Sequence, residues 1–284
     1  MKNFLLLTVA LFCSLSYGQR INRLYSVDKI LEIRKKAIFK IDMYDNLGKH
    51  ISSGTGFFIN KDGLAVTNFH VLFHANNKTL FSKTEKSKYI NMNYLIKTGS
   101  FQYKFTDKDG NTLKGGSPKI IGCGNKNNID ACLLKFNIQK TAHIPTDAIK
   151  VGKGNKVLSI GYCGGSLNIK KGNIINYYKD FLSLKNITNI NYNLETKMIQ
   201  VSNPICPGDS GGPIFSSNGD LVGMTTIRFK NNLVESNDAN QWINLGILIQ
   251  ELKKIKKIKP YELLLLNLKN NKKLIRPSDP FHIP

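Results

Sequence analysis

From Ala37 onward the chain alternates short runs of apolar and β-branched residues with turn residues, a rhythm that predicts an all-β protein. Ala37–Ile41, Thr55–Ile59 and Leu64–Thr67 read as strands, the last two joined by the turn Asn60-Lys61-Asp62-Gly63. Phe101–Leu113 reads as a hairpin turning at Asp109-Gly110. Ile120-Ile121 and Ala131–Phe136 complete a first set of strands, Thr141–Lys150 crosses over, and a second set runs from Val157 to about Asn244. Lys78–Lys97 has no strand rhythm and reads as a long surface loop or hairpin. Two stretches break the pattern as helices. One is residues 27–36. The other is Gly246–Ile258, where Leu248, Leu252, Ile255 and Ile258 recur on one face and four lysines lie elsewhere. Packing of that face on the strands is preferred over a membrane surface. Pro260 stops this helix; a short helix through Leu268 and a proline-broken tail follow.

The first residues are read apart from the fold. Lys2, the apolar run Phe4–Cys13 and Ser16-Tyr17-Gly18 have the order of a secretory signal peptide cleaved before Gln19. A lipid anchor at Cys13 is disfavoured because bulky Leu11 and Phe12 precede it. No later run reaches the ~20 apolar residues of a membrane span. Four cysteines then remain, Cys123, Cys132, Cys163 and Cys206. An even number in an exported chain allows two disulfides in three pairings. No CxxC or Cys/His spacing suggests zinc, and His70-Val71-Leu72-Phe73-His74 lacks the glutamate a zinc protease places after its first histidine.

The most specific chemistry lies in Pro207-Gly208-Asp209-Ser210-Gly211-Gly212-Pro213. A serine among glycines lets the backbone aim two N–H groups at one point, where the oxyanion of a tetrahedral acyl intermediate can sit. Upstream lie Thr67-Asn68-Phe69-His70-Val71 and Asp130-Ala131-Cys132-Leu133-Leu134-Lys135. Histidine, aspartate and serine thus occur in one of the known chain orders of a nucleophile, base and orienter. His70 sits just past a predicted strand, where a side chain can be aimed into a cleft. His50, His143 and His282 have no such context and read as surface residues.

Together these segments resemble the trypsin-like serine proteases of chymotrypsin fold. The resemblance is nearest to the bacterial periplasmic heat-shock branch, without the peptide-binding domain that often follows there. It covers about residues 37–258 and includes Ser53–Phe57, Gly152–Gly165, Ile199-Gln200-Val201 and Gly219–Met224. It implies two six-stranded antiparallel β-barrels with a C-terminal helix. The segments are then a signal peptide (1–18), an N-terminal segment (19–36), a first barrel (37–140), a second barrel with its closing helix (141–258) and a helix and tail (259–284). It also implies catalysis by His70, Asp130 and Ser210, an oxyanion hole from the Gly208 and Ser210 N–H groups, a protein or peptide substrate, and no cofactor. The pocket walls fall on Ser202–Cys206 and Thr225–Arg228. Pro204 stands where an acidic floor would receive lysine or arginine. Ile205, Thr226 and Ile227 suggest a small-to-medium apolar P1 side chain, and Arg228 offers an acidic P1 as the second reading. The resembled fold brings the loop after Gly161 beside the pre-nucleophile segment, which favours Cys163 with Cys206 and leaves Cys123 with Cys132.

Asp209 departs from the heat-shock branch, which usually has asparagine there. The digestive branch pairs an aspartate at this place with an N-terminal amine made by cleavage. A buried carboxylate needs a partner, and Arg20-Ile21 is a poor cleavage site, so a lysine or arginine side chain, or partial solvation, is expected instead. The net charge of +22, from 41 basic and 19 acidic side chains, attracts anionic partners. The lysines are scattered without an aromatic-basic module, which argues against a nucleic-acid interface. The alternative class is a non-catalytic binding protein on the same fold, its basic surface taking anionic partners. No sequence feature sets an oligomeric state.

Overall fold

The computed structural model describes residues 28–45, 47–73, 101–123, 129–147, 149–178, 196–230, 242–252 and 255. The expected signal peptide, Ile21, His74, the Lys78–Lys97 stretch, His282 and the tail from residue 259 lie outside them. Among the described residues, no helix is long and apolar enough to cross a membrane.

A helix over residues 28–35 (α1) leads into the strands β1 (Ile38–Asp45), β2 (His50–Phe58) and β3 (Leu64–Thr67). A single helical turn α2 (Phe69–Phe73) follows, then β4 (Phe101–Thr106), β5 (Lys119–Cys123) and β6 (Cys132–Lys135). These six strands form one antiparallel sheet in the order β4-β1-β2-β3-β6-β5. No ladder joins its two ends among the described residues. The edge of β4 away from β1 is taken by its own turn, through the Thr106–Thr112 bridge and Leu113 N donating to Phe105 O at 2.9 Å. The second set is β7 (Lys156–Gly161), β8 (Asn168–Tyr178), β9 (Met198–Val201), β10 (Pro213–Ser216), β11 (Leu221–Lys230) and β12 (Trp242–Leu248). It closes into a barrel in the order β10-β11-β12-β9-β8-β7.

Strand alternation explains both sheets. Along β1, Phe39, Ile41 and Met43 point one way and are at most 1 % exposed. Phe39 meets Phe58 and Phe136 with ring centroids 5.0 and 5.3 Å apart, and Phe105 meets Phe136 edge-on at 5.4 Å. Edge-to-face rings of this kind add to the area they bury. One core runs between the sheets, joining Leu72 and Phe136 to Ile160, Tyr162, Phe215 and Met224. A smaller one fills the closed barrel with Val157, Ile174, Val201, Ile214 and Val222. The shared core holds the two sheets against each other, and the cleft opens at that seam.

The helix expected from Gly246 begins later. Gly246, Ile247 and Leu248 belong to β12, where Gly246 is opposite both Thr225 and Ile199, and α3 is Ile249–Leu252. Apolar spacing at 248, 252 and 255 suits a helix, but β12 is the strand that completes the closed barrel. Ladder pairing with β9 and β11 takes these residues before the helix can. Both cysteine pairs form: Cys123 with Cys132 (Cα–Cα 4.1 Å) and Cys163 with Cys206 (5.7 Å).

Candidate active site

Three segments converge on the seam. The first is the end of β3 with α2. Asn68 is buried and its Nδ2 donates to Asp130 O at 2.7 Å, tying this end to the segment that precedes β6. α2 then carries His70 to the cleft wall, with its side chain 25 % exposed.

The second segment is Ile129–Ala131. The Asp130 carboxylate is fully buried and faces three donors. The His70 backbone N–H reaches Oδ1 at 3.0 Å, the His70 ring through Nδ1 reaches Oδ2 at 2.7 Å, and Thr226 Oγ1 reaches Oδ2 at 2.6 Å. Burial raises the cost of charge on Asp130, but the facing His70 and the hydrogen bonds from His70 and Thr226 outweigh it. They hold the carboxyl below its ordinary range. Burial likewise opposes protonation of His70, but the Asp130 charge and hydrogen bond prevail and lift the imidazole above its ordinary value. With Nδ1–H committed to the carboxylate, Nε2 is the nitrogen left to act as an acceptor.

The third segment is the turn from Ile205 to Gly212. Gly208 has φ +101°, and a Cβ there would lie 2.1 Å from Tyr162 O, so only glycine fits. Gly211 is confined in the same way, with φ +86° and Thr55 O 2.1 Å from where its Cβ would be. The turn is strapped to the first sheet by Thr55. Its Oγ1 donates to Gly208 O at 2.6 Å, its N–H to Ser210 O at 2.8 Å, and its Oγ1 accepts from Tyr162 N at 3.1 Å. Among the described residues, the Gly208 and Ser210 N–H groups have no hydrogen-bond partner. The Ser210 hydroxyl donates to Thr226 O at 3.1 Å and forms no hydrogen bond with His70 in this structure.

Ser210 and His70 line the same two recesses. One, of about 230 Å³, is walled by Ile205, Cys206, Pro207, Thr226, Ile227 and Arg228. Arg228 Nη1 donates to Ile205 O at 3.0 Å, joining two of its lining residues. Pro204, expected at the floor, is exposed and absent from this lining. The chain turns there so that Ile205, 4 % exposed, faces inward instead. The other recess, of about 700 Å³, continues past Gly208 and Tyr162 to Asp42, Tyr44 and His50. His50 bonds Ser53 Oγ at 2.8 Å, and Ser53 Oγ donates to Asp42 at 2.5 Å.

Thr226 has a second part that its wall position did not suggest, because it joins Asp130 to Ser210. The register of β11 against β12 shifts between Thr225 and Arg228, and a bulge of this kind re-aims side chains. Thr55 and Lys170 were not singled out by sequence reasoning. Thr55 lies within Ser53–Phe57, one of the segments that carry the resemblance. Lys170 carried no local signal and is the partner of Asp209, as an ion pair with its Oδ2. Among the described residues, a cluster with metal-ligand geometry is Cys163, Cys206 and Asp209, and its two sulfurs are bonded to each other.

The family description "Trypsin-like peptidase domain" matches residues 54–224. The magnetosome formation protease MamE of Magnetospirillum gryphiswaldense is 27 % identical over 182 residues, 63 % of this chain and 19 % of that protein. The anti-sigma-I factor RsgI9 of Acetivibrio thermocellus is 25 % identical over 202 residues, 69 % of this chain and 22 % of that one. The chain spans about a fifth of the length of the curated relatives it matches. Among solved structures, an HtrA-type protease, AlgW with a tripeptide, superposes with a TM-score of 0.55 at 18 % identity. That match covers 80 % of this chain and 61 % of the other, a likeness of fold.

Proposed function

The chain belongs to the trypsin-like peptidase family, and we propose that it acts as an exported serine endopeptidase through His70, Asp130 and Ser210. The observation that carries this reading is that His70, bonded through Nδ1 to the buried Asp130 at 2.7 Å, lines the same recess as a serine on a glycine-flanked turn. The reaction requires the Ser210 hydroxyl to turn from Thr226 O toward His70. Ser210 Oγ then attacks the scissile carbonyl carbon while its proton passes to His70 Nε2. The new oxyanion is met by the Gly208 and Ser210 N–H groups. The imidazolium, held by Asp130, returns the proton to the leaving amine and an acyl-enzyme remains. Water, deprotonated by His70, attacks the acyl carbon and regenerates Ser210. The substrate is an extended protein segment laid along the cleft. Two disulfides and the N-terminal residue pattern support export.

The smaller recess supports a small-to-medium apolar P1 residue, with Ile205 and Ile227 as walls and a volume of about 230 Å³. A peptide library should show alanine- to leucine-sized P1 residues preferred. Lysine and arginine should be rejected, because Arg228 lines the recess with like charge and no acidic side chain is among its described lining residues. A profile led by aspartate and glutamate would instead assign P1 recognition to the Arg228 charge; one led by lysine or arginine would overturn both.

The test of the activity is labelling of the purified protein by a fluorophosphonate, beside a Ser210→Ala control. Labelling of the parent and none of the control is expected. A folded parent that stays unlabelled, also after limited proteolysis, would favour a binding protein on this fold.

A further inference from the structure

Asp209 is a buried acid with a demanding environment. It is 3 % exposed, and its Oδ1 has no hydrogen-bond partner. A Cβ on Gly161 would lie 2.6 Å from that oxygen, so the carboxylate is packed directly on the end of β7. Oδ2 accepts from Cys206 N at 2.9 Å and from Lys170 Nζ. Charge buried in this way is strongly unfavourable without a counterion. Lys170 supplies it from β8, with its side chain 14 % exposed, and its Nζ also lies 3.4 Å from Cys206 Sγ. Two further ties hold this region. Asn203 Nδ2 donates to Lys170 O at 2.7 Å, and Cys206 is joined to Cys163.

We propose that Lys170 is a positioning residue for the oxyanion hole, an internal cation that holds Asp209 and so keeps the Gly208 and Ser210 N–H groups aimed into the cleft. The proposal rests on the reading of Ser210 as nucleophile. Asp209 lies between the two N–H donors, so its side chain sets the path of the backbone that bears both. The counterion comes from a strand of the closed barrel. The site therefore forms without an amine released by cleavage of the chain, and blocking the N-terminus leaves it intact.

The test compares the parent, K170M, K170R, D209N and K170M/D209N by fluorophosphonate labelling rate, by kcat and KM on a peptide substrate, and by hydrogen exchange of residues 205–212. Removing the cation should slow labelling by about 10²-fold or more, the scale of one lost oxyanion donor. The loss should fall on kcat rather than KM. K170R should retain activity to within about tenfold. D209N keeps the side-chain shape without a charge to compensate and should label clearly faster than K170M; K170M/D209N should return to within about tenfold of D209N, which a merely structural loss would not do. Exchange over 205–212 should rise in K170M and fall back in the double variant. K170M that labels at the parent rate, or a folded double variant as slow as K170M, overturns the proposal. The exchange arm decides it even where the parent does not label. An unlabelled parent with K170M-sensitive exchange removes the nucleophile reading and keeps the Lys170 brace, whereas unchanged exchange removes the brace.

Discussion

Asp130→Asn is expected to lower kcat/KM by a factor on the order of 10⁴ while leaving the chain folded, the scale set by a base held in its wrong tautomer. Three N–H or O–H donors converge on the two carboxylate oxygens. An asparagine replaces one acceptor oxygen by NH₂, which must then face a donor. If NH₂ takes the Oδ2 place, His70 Nδ1 becomes the acceptor and the ring proton moves to Nε2, where it cannot take the serine proton. If it takes the Oδ1 place, it opposes the His70 backbone N–H and displaces the ring. The pH profile gives an independent check. Activity needs neutral His70, and the acid limb of kcat/KM reports that group in the free enzyme. The Asp130 charge lifts the imidazole above its ordinary value despite burial. The limb should therefore lie above about 6.5 in the parent. In Asp130→Asn the lifting charge is gone and burial remains, so the limb should move below that value. A variant with more than a tenth of parental activity, or a limb that stays in place, would count against Asp130 as the orienter of His70.

Loss of the Cys163–Cys206 bridge should be the largest purely structural effect. The two residues are 43 apart in sequence. On the chain-entropy estimate, a loop of that length contributes about 4 kcal/mol, against about 3 kcal/mol for the shorter Cys123–Cys132 loop. For a domain of this size the former corresponds to a fall in Tm of roughly 8–16 °C. The consequences reach the site as well, because Cys206 N donates to Asp209 Oδ2 and Cys206 lines the smaller recess. Calorimetry of C163S/C206S, beside C123S/C132S and with oxidation of the parent verified by mass, measures both losses. A Tm within 2 °C of the parent in C163S/C206S would remove the bridge as a stabilising element.

Residues under a local constraint were legible in the sequence. The strands around Phe39, Val66 and Leu134 were legible because alternation within a few residues decides which side chains are buried. The serine turn was legible because positive φ at Gly208 and Gly211 demands glycine in the sequence itself. The start of α3 was not, since apolar spacing over Gly246–Leu248 suits strand and helix alike until β9 and β11 are present to pair. The inward face at Ile205 rather than Pro204 likewise follows from how the turn is packed, not from its composition.

Lys170 marks the division most clearly. It stands beside Lys171 in a lysine-rich chain, and nothing in its neighbourhood separates the two. By itself the sequence determined the all-β class and the glycine-bound serine turn, because these follow from backbone sterics and short-range pattern, while the resemblance of the segments around His70 and Asp130 pointed to the histidine and aspartate that accompany it. Only the tertiary structure decided that Lys170 is the residue that meets Asp209 and that Thr55 and Thr226 bind the turn and Asp130. The antiparallel register of β7 with β8 sets Lys170 opposite Ser159 and turns it inward. Adjacent strand residues point to opposite faces, so a slip of one residue would have sent Lys171 there instead.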